Sequence, residues 1–278
     1  MKSRSTPLLP IPIQNAILYG KAEWYNPSGS IKDRAARSIL HQAHLSPGDA
    51  IVEATSGNTG IALASLAARM GLRCHIVMPE NMSKERMQLM RAYGATVHLS
   101  PAQEGMAGAV RIATQLASSD NCVYVNQFTN PANPSAHETT TGPEIWHQTG
   151  GKIDLLIAGV GSGGTITGTG RYLKKRNPNI RIVAVLPAPG EAIAGLGSGL
   201  ESKILDPSVI DQWVYVSYQN AADTLWQLAR RSGLLVGPSS GAAIFAAQTM
   251  IAEENCCGKT MVAILPDSGE RYLSTGLF

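Results

Sequence analysis

Lys32 lies in the run Asn26-Pro27-Ser28-Gly29-Ser30-Ile31-Lys32-Asp33-Arg34, where Pro27 and Gly29 interrupt a preceding strand. Ile31, Ala35, Ile39 and Ala43 then recur at helical spacing, with Ser30 as the expected N-cap. The lysine is therefore placed in the first turn of a helix. Unsatisfied backbone N–H groups and the macrodipole make that end positive, which disfavours an ammonium and favours a neutral amine. A neutral amine is a nucleophile that can form an imine. Most lysines are simply solvated, so position alone does not single this one out, and three further loops do.

The first loop is Glu53-Ala54-Thr55-Ser56-Gly57-Asn58-Thr59-Gly60, where a strand ends and a helix begins. Its hydroxyls, amide and consecutive N–H groups form an anion cradle sized for a carboxylate or phosphate, and an ordinary N-cap would need fewer such residues. The second, Ala158-Gly159-Val160-Gly161-Ser162-Gly163-Gly164-Thr165, sets glycine amides and a helix N-terminus around a phosphate. A dinucleotide site would place an acidic residue at the end of the next strand. That strand ends Val185-Leu186-Pro187-Ala188-Pro189, and the nearest carboxylate is Glu191, so a smaller phosphate-bearing cofactor is favoured. The third loop is Val236-Gly237-Pro238-Ser239-Ser240-Gly241-Ala242-Ala243, whose hydroxyls would serve equally as helix caps if taken alone. An imine-forming lysine, a phosphate cradle and a carboxylate cradle on one scaffold together call for pyridoxal 5'-phosphate and an amino-acid substrate. A neutral serine at the pyridine nitrogen would then bias the chemistry toward expelling a leaving group from the β-carbon over transamination.

The elements that must position these residues alternate along the chain. Apolar runs at 50–53, 74–78, 96–99, 122–125, 155–158, 182–186, 213–216 and 261–265 predict strands. Helical patterns lie between them at 58–70, 83–93, 107–117, 165–175, 221–231 and 241–253. The expected fold is α/β, with two three-layer α/β/α domains built on mainly parallel sheets and the active site in the cleft between them. The polar, turn-rich stretch 127–151 suggests domains of residues 1–136 and 137–278, the first strand being free to cross into the other domain.

With 278 residues and 44% hydrophobic content the chain can build large cores. A net charge of +3 without a long basic run speaks against nucleic-acid or membrane partners. No apolar run has the length of a signal peptide or a membrane span, so a cytoplasmic protein is expected. Cys74, Cys122, Cys256 and Cys257 lack metal-ligand spacing and read as buried reduced thiols. No metal site is expected: the six histidines, His137 among them, share no spacing and read as isolated surface or loop residues. Met82, Met87, Met90, Trp24 and Trp146 read as packing residues. Asp267 and Glu270 read as turn residues after the last strand, with a site-supporting role for Asp267 as the lesser option.

From about Thr6 to Phe278 the chain resembles the O-acetylserine sulfhydrylases, or cysteine synthases, of the fold-type II (tryptophan synthase β-like) pyridoxal phosphate enzymes. Its segments Asn81-Met82-Ser83-Lys84-Glu85-Arg86, Met90-Arg91-Ala92-Tyr93-Gly94-Ala95, Thr139-Thr140-Thr141-Gly142-Pro143-Glu144-Ile145-Trp146 and Arg271-Tyr272-Leu273-Ser274-Thr275-Gly276 look most like the B-type enzyme. The resemblance implies Lys32 as the Schiff-base and catalytic residue and Asn58 on the cofactor's phenolic oxygen. It also implies Gly161, Ser162, Gly163, Gly164 and Thr165 around the phosphate and Ser239 at the pyridine nitrogen. Thr55, Ser56, Gly57, Thr59 and Gln127 are implied as substrate-carboxylate ligands. The implied reaction is β-replacement of O-acetylserine by sulfide through an α-aminoacrylate, with Lys32 as general base, in a homodimer that can engage a serine acetyltransferase.

Two features depart from the resembled pattern. The run 10–19 is compact and replaces part of the first strands, and an arginine pair that serves thiosulfate in B-type enzymes is missing from Ile193-Ala194-Gly195-Leu196-Gly197-Ser198-Gly199. Sulfide is therefore expected over thiosulfate, and O-phosphoserine is less favoured. Alternatives within the same likeness are an O-phosphoserine- or thiosulfate-using sulfhydrylase, a serine/threonine dehydratase, a cystathionine β-synthase, which the absence of an appended domain disfavours, and a catalytically silent binding homologue.

Overall fold

The computed structural model describes residues 5–13, 16–119, 122–197, 201–253 and 256–278. In chain order its strands and helices are β1 (Leu8–Ile11), β2 (Ile17–Ala22), α1 (Lys32–Gln42), β3 (Ala50–Ala54), α2 (Asn58–Met70), β4 (Arg73–Pro79), α3 (Lys84–Ala92), β5 (Thr96–Ser100), α4 (Gly105–Ser119) and β6 (Cys122–Tyr124). The second half continues with α5 (Ala132–Ala136), α6 (Gly142–Gln148), β7 (Leu155–Gly159), α7 (Gly164–Arg176), β8 (Arg181–Pro187), β9 (Gln212–Val216), α8 (Tyr218–Ser232), α9 (Pro238–Glu253) and β10 (Thr260–Leu265). A π-helical turn, His137–Thr141, is inserted between α5 and α6.

Two sheets result, one of six strands in the order β1-β2-β10-β7-β8-β9 and one of four in the order β5-β4-β3-β6. Every pairing is parallel except β1 with β2. Parallel strands buried on both faces favour near-continuous apolar runs, which β7 supplies throughout and β3 supplies apart from the buried Glu53. The alternation of strands and helices thus yields the expected α/β class. In the larger sheet one face packs around Leu225, Ile244 and Met261, and the other around Ile145, Ile166 and Ile182. In the smaller sheet the corresponding residues are Ile61, Ile76 and Met90 on one face and Val52, Val77 and Ala113 on the other.

The eight anticipated strands are present, their ends moved by a residue or two, and β1 and β2 are additional. These two escape period-based reading because Pro10, Gly20 and Lys21 break their apolar pattern. Pro10 is tolerated because β1 is an edge strand. Both strands belong to the six-stranded sheet, where β2 pairs with β10.

Lys21 is buried because β2 delivers it into a charge network. Its Nζ donates to Thr6 O at 2.6 Å, Glu144 Oε2 at 2.7 Å and Gln148 Oε1 at 2.8 Å. Arg34, on α1, donates to Glu23 at 2.7 Å and 2.9 Å and to both oxygens of Glu144 at 2.7 Å. The network ties β2, α1 and α6 together and so fixes the helix that begins at Lys32. Cys74, Cys122 and Cys256 are buried and outside any disulfide, as expected, whereas Cys257 is exposed, because it sits in a turn before β10. No helix among the described residues is long and apolar enough to cross a membrane.

Candidate active site

Lys32 opens α1, and Ser30 Oγ accepts from its backbone N–H at 3.3 Å, so Ser30 acts one position earlier than a regular cap residue. The side chain is half-buried and borders a narrow cavity. Desolvation lowers the pKa of its amine, with the nearby Asp267 carboxylate acting in the opposite direction. The same cavity is bordered by Asn58, Gly161, Ser162, Gly163, Thr165 and Ser239. Residues spread over more than two hundred positions are thus brought to one lysine.

The turn from β7 into α7 has no side-chain cap on its first N–H groups. Gly163 takes a left-handed φ of 84°, which favours glycine, and a Cβ at Gly164 would collide with Asn133 Oδ1. Asn133 Nδ2 donates to Ser162 Oγ at 3.1 Å and to Gln127 O at 2.8 Å, yet its Oδ1 is buried without a partner. An uncapped helix end with bare glycine amides is an anion site.

Thr55, Ser56, Gly57, Thr59 and Gln127 do not border the lysine cavity. They form a second cluster at the N-terminus of α2, which likewise has no side-chain cap. The two clusters meet at Asn58 and through the bridging Asn133. Thr59 Oγ1 donates to Gln127 Oε1 at 2.6 Å, and Thr55 Oγ1 accepts from Gly57 N at 3.1 Å. Ser56 is exposed and available to a ligand. Beneath lies Glu53, only 1% exposed, whose Oε1 accepts from Gln127 Nε2 at 3.4 Å and whose pKa burial pushes up to about 8. Arg86, on α3, donates to Ser56 O at 3.0 Å and stacks on Tyr272 at 4.7 Å.

Ser239 sits in the first turn of α9, buried beside Lys32's cavity. Next to it the segment after β10 does more than turn the chain. Asp267 is 1% exposed, accepts from Asn58 Nδ2 at 2.6 Å and Tyr272 Oη at 2.7 Å, and leaves Oδ1 unpartnered. Its lesser reading, support of the site, is the one the geometry favours. Glu270 remains exposed in the turn.

His137 departs from the surface role expected of it: it is buried, with Nδ1 2.9 Å from Thr141 Oγ1 and Nε2 3.3 Å from Thr165 Oγ1. The π-turn carries it inward, a backbone irregularity that no residue pattern announces. Its pKa falls well below the usual histidine range through burial and the charges of Arg34 and Lys32. His75 and His98 are not isolated either, since their rings stack with nitrogens 3.2 Å apart. Arg86, Asn133, Arg271 and Tyr272 were not singled out from the sequence. They lie in α3, in α5 and in the 3-10 turn Gly269–Thr275, and nothing local in the sequence marks them as facing the cleft. A wider groove of about 840 Å³ beside Trp24, Leu89 and Leu235 has no lysine among its lining residues.

Known proteins share this arrangement of chain. Cysteine synthase of Staphylococcus aureus (strain Mu50) is 45% identical over 278 residues, covering 95% of this chain and 89% of the relative. The crystal structure of O-ureido-L-serine synthase superposes with a TM-score of 0.94 at 40% identity, over 99% of this chain and 92% of that one. Cysteine synthase (OASS) from Entamoeba histolytica gives a TM-score of 0.93 at 35% identity, over 99% of this chain and 88% of that one. A family model described as pyridoxal-phosphate dependent enzyme matches residues 2–267, and with a desolvated lysine set among uncapped helix ends the chain belongs to that family.

Proposed function

We propose that this chain is a cysteine synthase that makes L-cysteine from O-acetylserine and sulfide by β-replacement. The observation that carries the reading is the convergence of the Lys32 amine, the uncapped N-terminus of α7 and Ser239 on one cavity, beside the uncapped N-terminus of α2. The residues fit pyridoxal 5'-phosphate: bare amides suit its phosphate, the desolvated amine suits its aldehyde, and the hydroxyl suits its ring nitrogen. Gly161, Ser162, Gly163, Gly164 and Thr165 would hold the phosphate, with Asn58 at the phenolic oxygen and Ser239 at the pyridine nitrogen. The bound cofactor supplies an electron-withdrawing ring conjugated to the substrate's α-carbon.

The chain's own groups do the rest. Thr55, Ser56, Gly57, Thr59 and Gln127 take the substrate carboxylate at the positive end of α2. Burial keeps the Lys32 amine available as a proton acceptor at the α-carbon. A neutral serine in place of a carboxylate at the ring nitrogen favours loss of the β-substituent. Closure of the unit formed mainly from residues 1–136 onto residues 137–278 would exclude water. The loop 193–197 packs on this site, with Gly195 beside Gly161 and Ser239, and carries no arginine, which supports sulfide as the sulfur donor. Ser198 and Gly199 of that loop lie outside the described residues. The reading includes a cytoplasmic homodimer, with a serine acetyltransferase as its protein partner.

The test is to reconstitute the purified chain and to offer O-acetylserine, O-phosphoserine and serine in parallel, each with sulfide or thiosulfate. Cysteine formed fastest from O-acetylserine and sulfide is the expected outcome. Release of pyruvate without cysteine would replace this reading with a dehydratase, and robust S-sulfocysteine formation would overturn the sulfide preference.

A further inference from the structure

We propose that Asp267 is a positioning residue which, together with Arg271, fixes the orientation of the Asn58 amide so that its remaining N–H is presented to the cofactor cavity. The proposal rests on the reading of Asn58 as a cofactor ligand. Asn58 Nδ2 donates to Asp267 Oδ2 at 2.6 Å, while Asn58 Oδ1 accepts from Arg271 Nη1 at 2.8 Å. Turning the amide over would set its N–H groups against the guanidinium and its oxygen against the carboxylate, so the two charged neighbours admit one orientation. With one N–H spent on Asp267 and the oxygen spent on Arg271, the second N–H of Asn58 is the group left for a ligand, and Asn58 borders the cavity.

Asp267 and Arg271 are themselves held. Tyr272 Oη donates to Asp267 Oδ2 at 2.7 Å, Gly237 N donates to Asp267 O at 3.1 Å, and Asp267 forms a backbone bridge with Ser30. Arg271 Nη2 donates to Ser28 O. One short segment therefore joins the lysine turn, the asparagine loop and the serine loop. A surface turn needs no buried carboxylate, whereas an amide aimed at a ligand needs its flip decided before the ligand arrives.

The experiment compares Asp267→Ala, Asp267→Asn and Asn58→Ala in the reconstituted protein, reading the visible absorbance band of the bound cofactor and its affinity by fluorescence titration. Asp267→Ala is expected to shift the band as Asn58→Ala does and to weaken the cofactor about tenfold, the loss of one charge-assisted hydrogen bond. Asp267→Asn keeps an acceptor oxygen and should restore most of the band position, which general loosening of the fold would not. The double variant Asn58→Ala/Asp267→Ala should show no loss beyond Asn58→Ala alone. If Asn58→Ala shifts the band but Asp267→Ala leaves it unmoved, or if the two losses add fully, the positioning role is refuted. If Asn58→Ala itself leaves band and affinity unchanged, the reading of Asn58 as a cofactor ligand fails instead.

Discussion

Helix α1 lies between two buried polar clusters that differ in how completely they are satisfied. On its flank, Lys21, Glu23, Arg34 and Glu144 form a network in which no buried side-chain atom lacks a partner. At its N-terminus the cleft behaves differently. Of the seven buried side-chain polar atoms without a partner among the described residues, five belong to Glu53, Arg86, Asn133, Ser240 and Asp267, which surround the cleft. Each unpaired buried group costs on the order of 1–3 kcal/mol, so their concentration around the cleft, against Ser100 and Thr169 elsewhere, fits a site that a ligand completes. The closed cluster holds the helix in place, and the open one is shaped for something that binds there.

That contrast is most sharply broken on the closed side. Arg34→Met leaves Glu23 and Glu144 buried beside a neutral chain, and about 3–5 kcal/mol of stability should disappear in urea unfolding. A loss under about 1 kcal/mol would show the network to be solvated and the distinction false. On the open side, Gly164→Ala pushes a methyl group into Asn133 and narrows the proposed phosphate site at the start of α7. A stability loss of about 1–3 kcal/mol should be accompanied by a much larger fall in cofactor affinity, measured by equilibrium dialysis. Equal affinity in the variant would remove the α7 end from the site.

A smaller effect concerns Glu53. Burial pushes its carboxyl up to about 8 from the ordinary 4.5. Between those values the folded protein keeps a proton that the unfolded chain has lost, so stability declines as the pH rises through that window. Unfolding midpoints for the wild type should therefore fall across it by the equivalent of a few kcal/mol at most, and Glu53→Gln should flatten the decline. An unchanged slope in the variant would mean that Glu53 is ionised throughout, satisfied by groups other than those around Gln127.

Much of the candidate site was legible because its parts are local. Lys32 followed from a turn and a helical period, and the two anion cradles from glycine and hydroxyl residues at strand-to-helix junctions. The interior strands were equally plain, since burial on both faces makes them largely apolar, with Glu53 the polar exception in β3. β1 and β2 were not, because their Pro10, Gly20 and Lys21 make sense only against β10 and α6. His137 and Arg86 were hidden for the same reason, and Asp267 was only half visible, as a turn residue whose site-supporting role was the lesser option. Each gains its meaning from a partner between twenty-eight and more than two hundred residues away, such as Thr165, Ser56 or Asn58. Periodicity reports which face of an element is buried, and says nothing of what a buried polar atom will meet.

The most direct test is to reconstitute the protein with pyridoxal 5'-phosphate, reduce the lysine–cofactor linkage with borohydride and map the modified residue by peptide mass spectrometry. The phosphopyridoxyl group should be found on Lys32, in the peptide that begins α1, and on no other lysine. Its appearance on Lys21 or on a surface lysine, or an unmodified Lys32 in coloured protein, would contradict the account.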